Sequence, residues 1–206
     1  MDLFEYDSSI NLLPFDGEVN YFGCIFSAAQ TQHYLQYLLN NIRWKNDELV
    51  IYAKHIITKR KVAWYGDSDF SYTYSNTTKH ALPWTKELLD LKERVEKLTH
   101  SRYNSCLLNL YHNGEEGMSW HSDDEDALDK NASIASLSFG TARKFSLKHK
   151  TRKQTVSLIL KSADLLVMKG ETQTHWLHSL PKMKNVDGLR VNLTFRRINP
   201  QQNQCQ

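Results

Sequence analysis

Cysteine, proline and glycine are all scarce in this sequence. Three cysteines, Cys24, Cys106 and Cys205, are scattered through 206 residues that also hold four prolines and eight glycines. Odd, widely spaced cysteines exclude a disulfide framework and a clustered zinc site, and they suit a reducing compartment. Because no stretch rich in proline, glycine or serine divides the chain, we expect one domain spanning residues 1–206.

Long apolar runs are also lacking. No segment approaches the roughly 20 apolar residues needed to cross a bilayer. The first residues, which include Asp2, Glu5 and Asp7, lack the basic start and apolar core of a signal peptide. We therefore expect a soluble intracellular protein with no membrane partner.

The net charge is small, but the basic residues are clustered. A formal charge of +3 does not by itself identify a nucleic-acid-binding protein. The two clusters are Lys54, His55, Lys59, Arg60 and Lys61, and then Arg143, Lys144, Lys148, His149, Lys150, Arg152 and Lys153. Either cluster alone fits a solvated strand or hairpin tip as well as it fits a nucleic-acid contact. Together they favour a polyanion partner whose phosphates they would contact.

The hydrophobic pattern changes from helical to β-type along the chain. Ser27 is a candidate cap for a helix to about Ile42, and Pro83-Trp84-Thr85 opens a second helix. Short β-type runs follow, at 107–111, 134–139, 144–148, 155–160, 165–168, 174–178 and 189–197. Many short strands separated by turns predict a two-sheet β fold, here braced by the N-terminal helices, and therefore the α+β class.

Two distant stretches contain metal-ligand residue types. His121 and Asp123 are two apart, so on an extended segment both side chains leave the same face and can share one metal. A third ligand can come from the predicted strand 174–178, where His175 and His178 point to opposite faces. We favour His178, because the Ser-Leu-Pro that follows ends the strand and leaves this residue at the mouth of a pocket. The alternative is that the His-x-Asp sequence is only a polar turn.

The last predicted strand alternates strictly between apolar and polar residues. Its polar face carries Arg190, Asn192, Thr194 and Arg196. Such a face normally meets water. Two guanidiniums close to a metal could instead bind a dicarboxylate such as 2-oxoglutarate, because the guanidinium fork matches a carboxylate. Asn109 and Tyr111, also two apart, could add donors to the same pocket.

These motifs, taken in order, resemble the AlkB family of iron(II)- and 2-oxoglutarate-dependent dioxygenases, and most closely its branch that repairs alkylated duplex DNA. The similarity covers roughly residues 50–197, including the blocks 107–111, 120–125, 135–140, 178–181 and 190–196. It implies a double-stranded β-helix, a jelly-roll-like core. It also implies oxidative demethylation of N1-methyladenine and N3-methylcytosine with Fe(II), 2-oxoglutarate and O2, releasing formaldehyde, succinate and CO2.

The resemblance also implies roles for individual residues. His121, Asp123 and His178 would bind iron. The residues at the 2-oxoglutarate site would be Asn109, Tyr111, Arg190, Asn192, Thr194 and Arg196. Ile51 and Tyr52 would form an intercalating finger, and Arg60 would bind substrate as part of the first basic cluster. Tyr72 and Tyr74 would form a platform for the base, and Asp124 and Glu125 would face a cationic base.

The same resemblance divides the chain into regions. Residues 1–80 would form the N-terminal and substrate-recognition region, and residues 100–197 the dioxygenase core. For residues 199–206 the composition, rich in glutamine and asparagine, predicts a disordered tail. The partner would be alkylated DNA, duplex or single-stranded, with RNA as a further candidate, and the protein would act as a monomer in a bacterial cytoplasm or a eukaryotic nucleus. Two alternatives stay open: a family member acting on RNA or protein, and an inactive nucleic-acid-binding relative.

Overall fold

A computed structural model describes residues 7–51, 54–74, 77–130 and 132–199, and within these it leaves out the side chains of residues 49–56 and 71–79. The helices are α1 (Ala28–Asn41), α2 (Lys86–Thr99) and α3 (Thr172–His175). The first strands are β1 (Glu18–Cys24), β2 (Lys45–Ile51), β3 (Lys54–Gly66), β4 (Ser71–Tyr74), β5 (Thr77–His80), β6 (Leu82–Pro83) and β7 (Ser105–Asn113). The later strands are β8 (Met118–His121), β9 (Ile134–Gly140), β10 (Arg143–His149), β11 (Thr155–Leu160), β12 (Asp164–Lys169), β13 (Trp176–Leu180) and β14 (Asp187–Arg196).

Two largely antiparallel sheets form the core. The larger has eight strands in the order β1-β12-β9-β14-β7-β3-β2, with β6 added parallel to β3, and the smaller has the order β11-β10-β13-β8. Strands β4 and β5 form a separate two-stranded sheet. The predicted two-sheet, jelly-roll-like fold of the α+β class is confirmed.

Both predicted helices are present and begin at the residues that the sequence indicated. Ser27 caps α1 in a capping box with Gln30, and Thr85 accepts a hydrogen bond from the Leu88 N–H at the start of α2. Helix α2 ends at Thr99, and the following residue, His100, caps it in a left-handed conformation with φ of 52°. The side chains that the two helices bury pack against the larger sheet, so the helices brace it as expected.

The alternation of β14 places its two faces in different environments. Val191, Leu193 and Phe195 are fully buried in the apolar cluster that includes the helices. The opposite face lines a cavity between the two sheets, next to a second apolar cluster that contains Phe145 and Trp176. The polar face of this strand therefore meets an enclosed site rather than bulk water.

The structure corrects the sequence-based description at two places. Strand β1, an edge of the larger sheet, was not predicted. Residues Thr174 and His175 belong to α3 rather than to the predicted strand 174–178. The Thr172 hydroxyl donates to the Lys169 carbonyl and accepts from the Glu18 N–H, so contacts with β12 and β1 hold this short turn. Hydrophobic periodicity is too coarse to reveal a four-residue helix.

None of the helices in the described ranges combines the length and apolar character needed to span a membrane.

Candidate functional site

Three side chains that could bind a metal meet at one end of the smaller sheet. His121 ends β8 and lies opposite His178 of β13, with ring centroids 4.2 Å apart. Asp123 follows two residues after β8, and its Oδ1 lies 3.8 Å from His121 Nε2 and 4.0 Å from His178 Nε2. Two imidazoles and one carboxylate at these distances could be ligands on one face of an octahedral ion.

Arg196 holds the carboxylate of this group in its charged form. The Arg196 Nη2 atom is 2.8 Å from Asp123 Oδ1, and Asp123 is only 5% exposed. Burial raises the pKa of Asp123, but its neighbours, Arg196 foremost, lower it by more, so the net pKa lies below its usual value. The buried carboxyl is therefore an anion, as metal coordination requires.

Both histidines can offer a lone pair to a metal. The Nδ1 atom of His121 is 2.8 Å from the Ser119 carbonyl oxygen. A carbonyl only accepts, so Nδ1 carries the proton and Nε2 keeps a free lone pair. Burial lowers the pKa of His178 to about 4, which keeps its ring neutral.

A second group of His and Asp residues, Asp16, His149 and His175, also occurs in the described part of the chain. His149 Nδ1 accepts hydrogen bonds from the N–H groups of Thr151 and Arg152, at 3.2 and 3.0 Å. The ring proton therefore lies on Nε2, which donates to Asp16 Oδ2 at 3.2 Å. His149 therefore has no lone pair left for a metal, and its hydrogen bonds tie Asp16 to β10. The structure thus brings His178, and not His175, to His121 and Asp123.

The predicted dicarboxylate residues line the same cavity. In the β7/β14 ladder Arg190 is opposite Tyr111, and Asn192 is opposite Asn109. These four side chains line the cavity together with the triad, Thr194 and Arg196. The two sheets therefore contribute different functions: the smaller one carries the two histidines and the larger one carries the polar and cationic groups.

Arg190 is buried, and no carboxylate among the described side chains forms an ion pair with it. It is 2% exposed, and its Nη2 donates to Ser138 Oγ at 2.8 Å and its Nη1 to the Leu160 carbonyl at 3.3 Å. Burial lowers the pKa of Arg190 to about 10, against an opposing effect of Tyr111. A guanidinium held in this way is prepared to bind an anion.

Several polar atoms of the cavity have no hydrogen-bond partner among the described residues. They are Asn109 Oδ1, Asp123 Oδ2, Arg190 Nε and Arg196 Nε. Buried polar atoms are nearly always paired, so a group of exceptions around one cavity indicates bound ligands. The carboxylate oxygen suits a metal and the guanidinium N–H groups suit an anion. These residues therefore fit an iron ion and 2-oxoglutarate.

Asn192 and Thr194 line the cavity but are largely engaged with the protein. Asn192 Nδ2 donates to Ser136 Oγ at 2.8 Å and to the Leu137 carbonyl at 3.2 Å. The Thr194 hydroxyl donates to Asn192 Oδ1 at 3.3 Å. This arrangement favours a supporting role in which the two residues shape the cavity wall.

The two acidic residues after Asp123 have different surroundings. Asp124 is exposed, accepts from Ser122 Oγ at 2.9 Å and lies 3.8 Å from Lys150 Nζ. Glu125 is half-buried with its Oε1 3.8 Å from Arg196 Nη1, and burial raises its pKa despite the nearby Arg196. Asp124 is thus accessible from solvent, whereas Glu125 belongs to the network behind the metal site.

The phosphate-contacting role expected of the first basic cluster does not fit Arg60. This residue is 7% exposed, forms an ion pair with Asp47 and donates to Met118 Sδ at 3.1 Å. Because side chains alternate along β3, Arg60 points inward while its neighbour Lys59 is exposed. Arg60 therefore supports Met118, a residue of the cavity wall.

The other predicted substrate residues are only partly described. Ile51 ends β2 opposite Lys54, and Tyr72 and Tyr74 pair with Lys79 and Thr77 in the β4/β5 ladder. Their side chains, and Tyr52 as a whole, lie outside the described residues.

Two residues near the metal site were missed from the sequence. Phe145 stacks on His178 with ring centroids 5.7 Å apart, and the Gln173 side chain accepts a hydrogen bond from the Asp123 N–H. Neither contact has a signal in the sequence, because each joins residues more than 30 positions apart in different elements.

Comparison with known proteins agrees with this geometry. The family model described as the 2OG-Fe(II) oxygenase superfamily matches residues 18–196. DNA oxidative demethylase ALKBH2 of Bos taurus is 36% identical over 187 residues, which are 85% of this chain and 67% of that protein. Alpha-ketoglutarate-dependent dioxygenase alkB homolog 3 of Homo sapiens is 38% identical over 176 residues, 81% of this chain and 61% of that protein.

A third relative and a solved structure extend the comparison. DNA oxidative demethylase ALKBH2 of Homo sapiens is 36% identical over 185 residues, 84% of this chain and 71% of that protein. The chain thus spans between 61% and 71% of the length of these relatives. The solved structure of OsALKBH1 superposes with a TM-score of 0.58 at 15% identity, covering 90% of this chain and 98% of that one, which supports the fold. The chain belongs to the 2OG-Fe(II) oxygenase superfamily and, within it, to the AlkB family of iron(II)- and 2-oxoglutarate-dependent dioxygenases.

Proposed function

We propose that this dioxygenase removes methyl groups from N1-methyladenine and N3-methylcytosine in DNA. It would use Fe(II), 2-oxoglutarate and O2, and it would release formaldehyde, succinate and CO2. The main support is that the His121, Asp123 and His178 triad shares one cavity with the buried Arg190. Two of the relatives described above are named DNA oxidative demethylases.

The residues of the cavity divide the work of holding iron and cosubstrate. The triad would bind iron on one face and leave its other positions open. Arg190, with Asn109 and Tyr111 beside it, would pair with the distal carboxylate of 2-oxoglutarate. Arg196 would keep Asp123 charged and oriented. When bound, iron and 2-oxoglutarate together use O2 to oxidise the N-methyl carbon to formaldehyde, while the cosubstrate becomes succinate and CO2.

The substrate side of the cavity would favour a cationic base. N1-methyladenine and N3-methylcytosine carry a positive charge, which the Asp124 carboxylate near the metal site would attract. The rings of Tyr72 and Tyr74 would stack on the extruded base, because electron-rich aromatic faces attract cations. Ile51 and Tyr52 would fill the gap that the base leaves in the stack.

The exposed lysines would hold the phosphate backbone. Lys148, Lys150 and Lys153 are exposed on the hairpin that joins β10 to β11, and Lys59 is exposed on β3. Such contacts position a strand without reading its sequence and weaken as salt rises. We further infer that the enzyme acts as a monomer, in the cytoplasm of a bacterium or the nucleus of a eukaryote. Light scattering on the purified protein tests the oligomeric state.

The test measures formaldehyde and succinate from matched methylated substrates. Duplex DNA, single-stranded DNA and RNA of one sequence would each carry one N1-methyladenine, with unmethylated copies and reactions without iron as controls. We expect iron-dependent formaldehyde release from methylated DNA. Release from RNA alone would establish the RNA alternative. Absence of iron-dependent succinate with every substrate would identify an inactive relative.

A further inference from the structure

We propose that Gln173 is a positioning residue, which fixes the backbone of the metal-binding Asp123 relative to the strand that carries His178. The Asp123 N–H donates to Gln173 Oε1 at 2.9 Å, across 50 residues of sequence. Asp123 lies beyond the end of β8, where no strand ladder holds its backbone. The Gln173 side chain takes the place of a ladder partner at this point.

Gln173 is itself held firmly. It belongs to α3, which leads directly into β13 and reaches His178 five residues later. The preceding Thr172 is 1% exposed, and its hydroxyl contacts the backbone of Glu18 at 2.9 and 3.0 Å and donates to the Lys169 carbonyl at 2.5 Å. The support for Gln173 is therefore tied to β1 and β12. A shift of Asp123 relative to His178 would have to break the hydrogen bond from Gln173.

The orientation of the Gln173 amide is set by its second contact. Its Nε2 donates to Met168 Sδ at 3.3 Å, so Oε1 faces the Asp123 N–H. Arg196 holds the side chain of Asp123 from the larger sheet, while Gln173 holds its backbone from α3. Both contacts act on one carboxylate, and together they set where it meets a metal. Groups that orient a ligand in this way commonly change metal affinity about 10- to 100-fold when they are lost.

The variants that test this inference differ mainly at the acceptor atom. Gln173→Met keeps an unbranched chain of similar length and removes the acceptor, whereas Gln173→Glu keeps an acceptor at the same reach. Gln32→Met, at an exposed position of α1, is the matched control for a Gln to Met change on a helix. The inference rests on the metal requirement of the family and not on the proposed DNA substrate, because binding is measured without nucleic acid.

The experiment is a titration of each full-length variant with Mn(II), followed by electron paramagnetic resonance. We expect Gln173→Met to raise the dissociation constant for Mn(II) at least about fivefold, as expected from losing one buried hydrogen bond. Gln173→Glu and Gln32→Met should stay within about twofold of the wild type. An unchanged dissociation constant in Gln173→Met overturns the proposal. Should that variant not fold, hydrogen exchange of the Asp123 amide in the wild-type apoprotein decides: protection supports the proposal, and rapid exchange overturns it.

Discussion

Replacing Arg190 with methionine should weaken the binding of 2-oxoglutarate without destabilising the apoprotein. Arg190 is buried, and burial lowers its pKa well below the ordinary value for an arginine, to about 10. At about 1.36 kcal/mol for each pKa unit, a lowering of this size means that the charged form costs the apoprotein on the order of 3 kcal/mol. This cost is present at every pH below about 10, where the side chain is charged, and it disappears only as the pH rises above that value.

Methionine removes this cost but also removes two hydrogen bonds, to Ser138 Oγ and the Leu160 carbonyl. Each bond contributes about 1 kcal/mol, so we expect the apoprotein to gain about 1 kcal/mol or to remain unchanged. For a chain of this size that gain corresponds to a melting temperature roughly 2–4 °C higher. Loss of the guanidinium should cost about 3 kcal/mol of 2-oxoglutarate binding, a dissociation constant raised roughly 100-fold.

Arg143 offers a matched control, because it is equally buried but serves the backbone. It is 1% exposed and donates to the carbonyls of Asn113, Glu116 and Pro181 at 3.0, 2.8 and 3.0 Å. Arg143→Met removes these three hydrogen bonds, at about 1 kcal/mol each on the same scale. We expect its melting temperature to fall by roughly 6 °C or more, with little change in intrinsic 2-oxoglutarate affinity.

Two measurements check this pair of variants: scanning calorimetry of the apoproteins, and calorimetric titration of 2-oxoglutarate into the Mn(II)-loaded proteins. The reasoning is refuted if Arg190→Met destabilises the apoprotein as much as Arg143→Met does while 2-oxoglutarate still binds within threefold of the wild type. In that case Arg190 would be a structural residue, like Arg143.

Three further predictions concern the metal and the nucleic acid. His178→Ala should abolish formaldehyde release and His175→Ala should preserve it; the opposite result in a turnover assay would reverse the choice of ligand. Tyr52→Ala should lower turnover on duplex DNA far more than on single strands, and equal losses would remove the finger assignment. Lys59→Gln should reduce the slope of log affinity against log salt by about one, measured by fluorescence anisotropy. Arg60→Gln should leave that slope unchanged and lower the melting temperature, because it breaks the buried ion pair with Asp47.

Local chemistry explains why much of the fold was predictable. Ser27 and Thr85 satisfy helix N–H groups within three residues, so both helix starts could be located from the sequence. The alternation of β14 likewise assigned Val191, Leu193 and Phe195 to one face. These features depend on neighbours along the chain. Strand β1 was not predictable in this way, because it pairs with β12, which lies far away in the sequence.

Whether a given polar side chain is buried or exposed was less predictable. Arg60 and Lys59 are adjacent and both basic, yet one is buried and the other is exposed. The difference comes from Asp47 on the neighbouring strand β2, a partner that the basic cluster itself does not indicate. A cluster of basic residues in the sequence therefore does not show which of its members are exposed and which are buried in ion pairs.

The sequence by itself determined which residues could bind a metal, which residues share a face of a strand, and the order of the motifs. Residue spacing and periodicity carry that information. Only the tertiary structure decided that His178 lies with His121 and Asp123, whereas the His175 ring stacks on that of His149. It also decided that the polar face of β14 encloses a cavity instead of meeting water. Both outcomes depend on which strands lie opposite each other, and that pairing is set by packing between elements distant in the chain.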